Sequence, residues 1–288
     1  MNTALSLDHV GIAGSDLDQL ATTYERLGFA LTPIARHSGR RTPDGPIVPF
    51  GTGNRCAILR DGYIELIAVI DAENLANSPE FSLARYAGLQ LLALGIDDED
   101  ANLARMRAGG VNILGAAYLE RPVDDADPAG PKARFARLPL PDAPEGRIFL
   151  IRHLTPEAIW QERFLSHPNH AQALVEVIVA SSAPAESAAR FSLLSGRPVA
   201  PDPAGGFTLA LPRGRVRILP PEALGAVLPD IAAPSLPFIA GIVVTTDDAN
   251  TALRQVLDEN KVAHRELPQG ILVVPTQAGG AALLFRPA

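Results

Sequence analysis

Short apolar runs alternate with amphipathic segments along the chain, and the first of these elements define a unit. Residues 7–13 have the apolar pattern of a strand, and residues 16–27 follow with apolar positions at helical spacing. Gly28 marks the end of that helix. Three strand-like runs complete the unit, at residues 29–35, 55–59 and 63–70. The pattern therefore predicts one strand, one helix and three further strands.

The same order of elements occurs three more times. Strand patterns open these repeats at residues 89–96, 173–180 and 238–245, and each is followed by a helix and further strand-like runs. Four βαβββ modules predict an α+β fold of two module pairs, each wrapping its strands into a curved sheet. We place the first pair at residues 1–154 and the second at residues 171–288. Residues 155–170 form the connection, with a helix predicted from Thr155 to Leu165 because Thr155 and the next proline suit a helix start.

Composition narrows the class of partner. The 288 residues include 25 Lys and Arg against 32 Asp and Glu, a net charge of −7, with no long run of like charge. This balance argues against nucleic acid or an anionic membrane as a partner. The single cysteine, Cys56, cannot form an intramolecular disulfide, and the N-terminal residues lack a secretion signal, so we expect a cytoplasmic protein.

Alternation along two predicted strands places His9 and Glu65 on the same concave face. Val10 and Ile12 form the apolar set that packs under the helix, which turns His9 to the opposite side. The apolar neighbours of Glu65 likewise leave its carboxylate facing the concave side. A carboxylate buried there without a partner would cost several kcal/mol, so we expect a cation, a donor or water beside it. His9 is the nearest candidate.

Three motifs resemble the vicinal oxygen chelate superfamily, and the first half of the chain is similar to its glyoxalase-like and bleomycin-resistance-like members. The motifs are LDHV at residues 7–10, GYIELI at residues 62–67 and EGRIFLIRH at residues 145–153. The architectural resemblance covers nearly the whole chain. It implies a divalent metal in the cup of a module pair, held by residues from the first and last strands of each module, which chelates two neighbouring oxygens of the substrate.

The resemblance implies His9 and Glu65 as metal ligands from the first module. Aligning residues 89–91 with residues 8–10 adds Gln90 from the second module. The fourth position falls on Phe149, which cannot bind a metal. Three ligands would suffice for Zn, Fe or Mn, although an amide is a weak ligand. The alternative is a hydrogen-bonded pair of His9 and Glu65 on the floor of a metal-free pocket.

His153 shares the strand face of Phe149 but lies four residues further along, about 13 Å by strand rise. It could replace Phe149 as a ligand only if a β-bulge intervened.

Two classes of function follow from the resemblance. In the first, a metal-dependent lyase, isomerase or oxygenase acts on a small molecule with vicinal oxygens, and Glu65 or a bound water moves the proton. In the second, the cup belongs to a metal-free small-molecule binding protein. A ring-cleaving dioxygenase would carry its metal ligands in the second pair, where this chain has Glu176, Ala240 and an aliphatic strand. We expect that half to be catalytically empty, with a salt bridge from Glu176 to Arg217.

Residues 36–54 form a long predicted connection that exceeds the roughly 12 to 15 residues of an idle loop. It contains Arg36, His37, Arg40 and Arg41. We expect Arg40 and Arg41 to line the substrate pocket beside Phe149, as a lid that binds a carboxylate or phosphate. The alternative is a solvated loop that contacts only water or a partner subunit. The expected partner is therefore a small, anionic molecule. The sequence leaves open whether the protein forms a homodimer.

Overall fold

The computed structural model describes residues 3–40, 45–77, 81, 83–124, 126–127, 129–248 and 251–288. Within these residues the strands form two eight-stranded sheets, sheet 1 from the first half of the chain and sheet 2 from the second. No helix in the described part is long and apolar enough to cross a membrane.

Sheet 1 contains two modules. The first consists of β1 (Ser6–Gly14), α1 (Leu17–Arg26), β2 (Ala35–Arg40), β3 (Ile47–Ile58) and β4 (Tyr63–Val69). The second consists of β5 (Gly88–Gly95), α2 (Glu99–Ala108), β6 (Ala117–Pro122), β7 (Lys132–Pro139) and β8 (Arg147–His153).

Sheet 2 repeats this plan. Its first module consists of β9 (Ala171–Ala180), α3 (Pro184–Ser195), β10 (Val199–Pro201), β11 (Phe207–Ala210) and β12 (Arg215–Leu219), followed by α4 (Pro221–Val227). Its second module consists of β13 (Phe238–Thr246), α5 (Ala252–Glu259), β14 (His264–Leu267), β15 (Gly270–Val273) and β16 (Ala282–Pro287). The prediction of an α+β fold with four βαβββ modules in two pairs is confirmed.

Strand order explains how each sheet curves. Sheet 1 runs β2-β3-β4-β1-β5-β8-β7-β6, and sheet 2 has the equivalent order. The opening strands β1 and β5 pair antiparallel at the centre, and each pairs in parallel with the last strand of its own module. The edge strands β2 and β6 contact each other. Sheet 1 therefore curls into a cup, with its helices on the convex side.

Local sequence signals set α1 against the convex face. The Asp16 carboxylate accepts a hydrogen bond from the backbone N–H of Gln19 at 3.0 Å, which caps the helix. The side chains of Leu17, Leu20 and Tyr24 are buried on one face. The backbone turns away after the helix at Gly28, whose positive φ of 83° favours glycine.

The convex faces of the two sheets share one hydrophobic core. Tyr24 of α1 donates from its hydroxyl to the carbonyl of Ala278 at 3.3 Å, and the ring of Phe29 stacks on Phe285. The two halves are consequently packed against each other, and both cups open away from this core.

The concave side of sheet 2 is filled by its own chain. Leu224 and Val227 of α4, with Leu228, pack against apolar side chains of the sheet that include Ile178 and Leu284. Sheet 1 has no equivalent insertion between β4 and β5 in the described residues, where a single 3-10 turn forms at Leu75–Asn77. The cup of sheet 1 is therefore the better place for a ligand.

The first difference from the sequence prediction concerns residues 36–54. Residues 35–40 and 47–54 pair as antiparallel strands, with Ala35 opposite Asn54 and Arg40 opposite Ile47, and residues 41–44 lie outside the described residues. The polar, cationic residues of β2 suit an edge strand, because charge on an edge opposes pairing with another chain. The predicted second strand, residues 29–35, was thus misplaced, and the predicted third strand, residues 55–59, was too short. The described part of the predicted lid is a strand pair.

The second difference concerns the predicted helix from Thr155 to Leu165, which is wrong. Two short 3-10 helices, Pro156–Ala158 and Glu162–Phe164, take its place. The Thr155 hydroxyl does not cap them, because it accepts from the N–H of Arg134 and donates to the carbonyl of Lys132. Its hydrogen bonds tie the segment to β7 instead.

Candidate functional site

A β-bulge at Asp8 shapes the floor of the cup. In the pairing of β1 with β5, Leu7 lies opposite Leu94 and His9 opposite Ala93, so Asp8 has no partner of its own. Bulges redirect side chains in this way near functional sites. The Nδ1 of His9 donates to Oδ1 of the neighbouring Asp8 at 2.7 Å, a contact that strict alternation would prevent.

The same carboxylate oxygen binds a second histidine. The Nε2 of His153, at the end of β8, lies 3.0 Å from Oδ1 of Asp8. Burial by itself would raise the pKa of the Asp8 carboxyl, but the charge and hydrogen bonds of His153 and His9 hold that pKa well below its usual value. Sequence reasoning set His153 aside for its distance from Phe149. The structure includes it because of the bulge in β1.

Glu65 of β4 faces His9 across the floor. Its Oε2 lies 3.9 Å from Nε2 of His9, and its Oε1 accepts a short hydrogen bond from the Asn54 amide. Burial would raise the pKa of the Glu65 carboxyl, but the charges of His9 and His37 and the Asn54 hydrogen bond lower it below its usual value. His9 and Glu65, both named from the sequence, therefore lie on one floor with Asn54, which sequence reasoning missed.

Aromatic side chains form the walls. The His9 ring stacks on Tyr63 with centroids 4.3 Å apart, and Phe149 meets its edge at 5.6 Å. Trp160, from the connection between the halves, contacts His153 at 4.9 Å and Tyr63 at 6.0 Å. Phe149 was expected in this pocket from the sequence, whereas Tyr63 and Trp160 were not named, because the sequence alone does not place them beside His9.

Strand register also revises the position matched to His9 in the second module. In the first module, His9 pairs with the residue that follows Gly62. In the second, the residue that follows Gly146 pairs with Leu91. Leu91 therefore matches His9, and Phe149 matches Glu65.

Gln90 lies one position before Leu91, at a second register shift between β1 and β5. Its side-chain amide donates to the carbonyl of Tyr86, within its own segment. His9 pairs with Ala93, three residues further along β5, about 10 Å by strand rise. The glycines before β4 and β8 were the better alignment markers, because they fix the strand starts.

These positions decide whether a metal fits the cup. Two of the four implied ligand positions hold His9 and Glu65, and the other two hold the hydrocarbon side chains of Leu91 and Phe149. Among the residues that the structure describes, no group of three or more His, Cys, Asp or Glu side chains could hold a metal. An open catalytic site needs about three protein ligands. The donor set of the cup does not fit a tightly bound divalent metal.

Two arginines lie beside Phe149 at the mouth of the cup. Arg137, Arg147 and Phe149 line a cleft of about 240 Å³, and the Arg137 guanidinium lies 5.3 Å above the Phe149 ring. Of the two arginines predicted for the pocket, Arg40 belongs to β2, and Arg41 lies outside the described residues. The cations beside the aromatic wall thus come from β7 and β8.

His37 of β2 should make stability depend on pH. Burial lowers the pKa of its imidazole to about 4, and its Nδ1 lies 3.0 Å from the Thr52 hydroxyl. The unfolded chain takes up this proton near pH 6.5, so stability contributed by neutral His37 falls as pH drops from about 6.5 towards 4, by up to about 3 kcal/mol. His37→Gln should flatten the free energy of unfolding over that range in denaturant titrations.

The control for this prediction is His170→Gln, at an exposed histidine paired with Asp247. This variant should keep the fall in the free energy of unfolding that His37 causes between pH 6.5 and 4. If wild type and His37→Gln lose stability equally between pH 6.5 and 4, the neutral state of His37 in the folded protein is contradicted.

Comparison with solved structures finds the same fold in several proteins. The chain resembles a hypothetical protein from Staphylococcus aureus with a TM-score of 0.64 and 15% identity, over 99% of this chain and 100% of the other. It resembles the Mn(II)-bound glyoxalase from Novosphingobium aromaticivorans with a TM-score of 0.57 and 14% identity, over 100% and 83%. It also resembles a mutant of 4-hydroxymandelate synthase from Streptomyces coelicolor, with a TM-score of 0.56 and 14% identity, over 93% of this chain and 78% of the other. At these identities the likeness shows the fold alone.

Sequence comparison gives the family. No match was found among curated proteins. The family model described as a glyoxalase-like domain matches residues 7–194, which span both modules of sheet 1, the connection, β9 and most of α3. The resemblance drawn from the motifs is confirmed, and the chain belongs to the glyoxalase-like domain family.

Proposed function

We propose that this protein binds a small molecule in the cup of sheet 1 without a metal. The observation that carries the proposal is the pair Leu91 and Phe149, which occupies the two ligand positions that the second module would have to supply. Both side chains belong to one apolar cluster on the concave face. The cup is thus built to contact a ligand through hydrocarbon where a metal site would need donors.

The floor supplies polar contacts for such a ligand. His9 and Glu65 face each other, and each is held from behind, His9 by Asp8 and Glu65 by Asn54. Held side chains lose little freedom when a ligand binds, which favours affinity. A ligand with a hydroxyl or carbonyl group could therefore exchange hydrogen bonds with this pair.

The walls and mouth favour an aromatic anion. Tyr63, Phe149 and Trp160 offer faces and edges to a planar ring. Arg137 and Arg147 border the cleft beside Phe149, where guanidinium groups can bind a carboxylate or phosphate. The proposed ligand is a small molecule with a ring and one anionic group.

The alternative is a metal-dependent lyase, isomerase or oxygenase. Its support is the fold, which this chain shares with a Mn(II)-bound glyoxalase. His9 and Glu65 alone leave such a metal one ligand short of an open catalytic site. The cup therefore lacks a donor that a metal-assisted reaction would need.

Benzoate and its neutral analogue benzamide test the proposal. The only tryptophan, Trp160, gives a single indole N–H resonance in the wall of the cup, so NMR titration reads binding directly. Benzoate should shift that resonance with the same Kd before and after treatment with EDTA. Arg137→Gln should weaken benzoate binding by about tenfold, a loss typical of a charged hydrogen bond, and leave benzamide binding nearly unchanged.

The control variant is Arg265→Gln, which removes an arginine paired with Asp230 in the second half. It should leave both titrations unchanged. Benzoate binding that disappears with EDTA, or an indole resonance that does not respond to benzoate, would contradict the proposal.

A further inference from the structure

One buried nitrogen of His153 has no hydrogen-bond partner in the part of the chain that the structure describes. Two buried side-chain nitrogens lack a hydrogen-bond partner among the described residues, Nδ1 of His153 and Nε of Arg254. The His153 side chain is only 9% exposed. Buried polar atoms without partners are rare in folded proteins and each calls for an explanation. A bound ligand that hydrogen-bonds to Nδ1 would explain why this nitrogen has no partner within the protein's described residues.

Asp8 determines what this nitrogen can do. A carboxylate accepts hydrogen bonds only, so His153 donates to it from Nε2 and carries its proton there. In the neutral ring, Nδ1 is then an acceptor with a lone pair. The same oxygen of Asp8 accepts a hydrogen bond from the Nδ1–H of His9. One carboxylate therefore fixes the tautomers of two histidines and leaves one nitrogen of each for other contacts.

The surroundings of His153 suit a bound ring. Its imidazole lies among Tyr63, Phe135 and Trp160, with centroids at 6.2, 6.3 and 4.9 Å. Asp8, its hydrogen-bond partner, also binds His9, so His153 belongs to the same hydrogen-bonded group as the floor of the cup.

We propose that His153 is a ligand-binding residue, whose Nδ1 accepts a hydrogen bond from a hydroxyl or N–H group of the molecule in the cup. This inference rests on the proposed function and adds the requirement for a donor on the ligand. Asp8 acts as the positioning residue, because it holds the ring in the tautomer that accepts. The two histidines then contact different parts of one ligand, since His9 faces Glu65 and His153 faces the aromatic wall.

Phenol and anisole separate the donor from the ring. Both carry the same ring, but only phenol has a hydroxyl proton. In the wild type, phenol should bind about five- to tenfold more tightly than anisole, as read from the Trp160 indole resonance, because only phenol can supply the hydrogen bond that Nδ1 lacks in the free protein. The ¹⁵N resonance of His153 Nδ1 should shift with phenol and not with anisole.

Two variants assign the preference to Nδ1. His153→Gln keeps an amide near the place of Nε2, within reach of Asp8, and removes the acceptor at Nδ1, so the preference for phenol should disappear. His153→Asn places an amide oxygen near Nδ1 and should retain part of it.

The outcomes separate this proposal from the proposed function. Equal binding of phenol and anisole to the wild type, or an unchanged preference in His153→Gln, would overturn the role of His153 and leave metal-free binding intact. Failure of both probes to bind would count against both proposals. The comparison of phenol with anisole uses the wild-type protein, so it can overturn the proposal even if a variant fails to fold.

Discussion

Replacing Leu91 by His and Phe149 by Glu in one protein should create a site for Mn²⁺ or Zn²⁺. Strand register puts these positions opposite His9 and Glu65 in the two-module plan. Without metal, two polar groups placed in the apolar cluster should destabilise the fold by several kcal/mol. Metal at about 100 times its Kd should return about 2.7 kcal/mol of that loss. Calorimetry should show one ion per chain.

The matched control combines Leu91→His with Phe149→Gln, which is similar in size and lacks the second carboxylate. It should bind metal much more weakly, because an amide is a poorer ligand than a carboxylate. Metal that stabilises wild type and double variant equally would mean that the two hydrocarbon side chains do not decide the chemistry of the cup.

Glu176→Ala should be among the most destabilising single changes in the second half. The carboxylate is 1% exposed and contacts the guanidinium groups of Arg215, Arg217 and Arg286. Of these, Arg217 is 12% exposed, and Asp202 holds it from the other side. Removing the shared anion leaves positive charges close together and only partly hydrated. We expect a loss of about 3 to 5 kcal/mol in the free energy of unfolding.

Glu266→Ala supplies the comparison for this prediction. Glu266 is exposed and pairs with Arg254, so its loss should cost at most about 1 kcal/mol. Both variants should bind benzoate in the cup of sheet 1 like the wild type at a temperature where they are folded. Stability near the wild-type value in Glu176→Ala, or benzoate binding reduced as much as in a His9 substitution, would contradict the separation of the two halves.

The fold was predictable because it repeats. The modules share an apolar opening strand, an amphipathic helix and a stop signal, and the four copies reinforce one another. The weaker predictions were the middle strands, as at β2, where polar residues such as Arg36 and Ser38 hide an edge strand from hydrophobic alternation. The connection from Thr155 also misled, because its helix-start signal serves a contact with β7.

The site was predictable only where strand alternation is regular. His9 and Glu65 share a face by parity, and the salt bridge from Glu176 to Arg217 lies where the sequence indicated it. A bulge moves the residues beside it out of phase, and no residue pattern marked the two bulges in the pairing of β1 with β5. Asp8 was therefore missed, His153 was set aside, and Gln90 was aligned one position away from the residue that matches His9.

Metal content of the wild-type protein tests the central claim most directly. The protein would be purified without chelator and analysed by inductively coupled plasma mass spectrometry for Zn, Mn and Fe, with His9→Ala prepared in parallel. Because the cup offers His9 and Glu65 and two hydrocarbon side chains, we predict well under one metal per chain, and the same amount in the variant. One metal per wild-type chain that is lost in His9→Ala would contradict a metal-free cup.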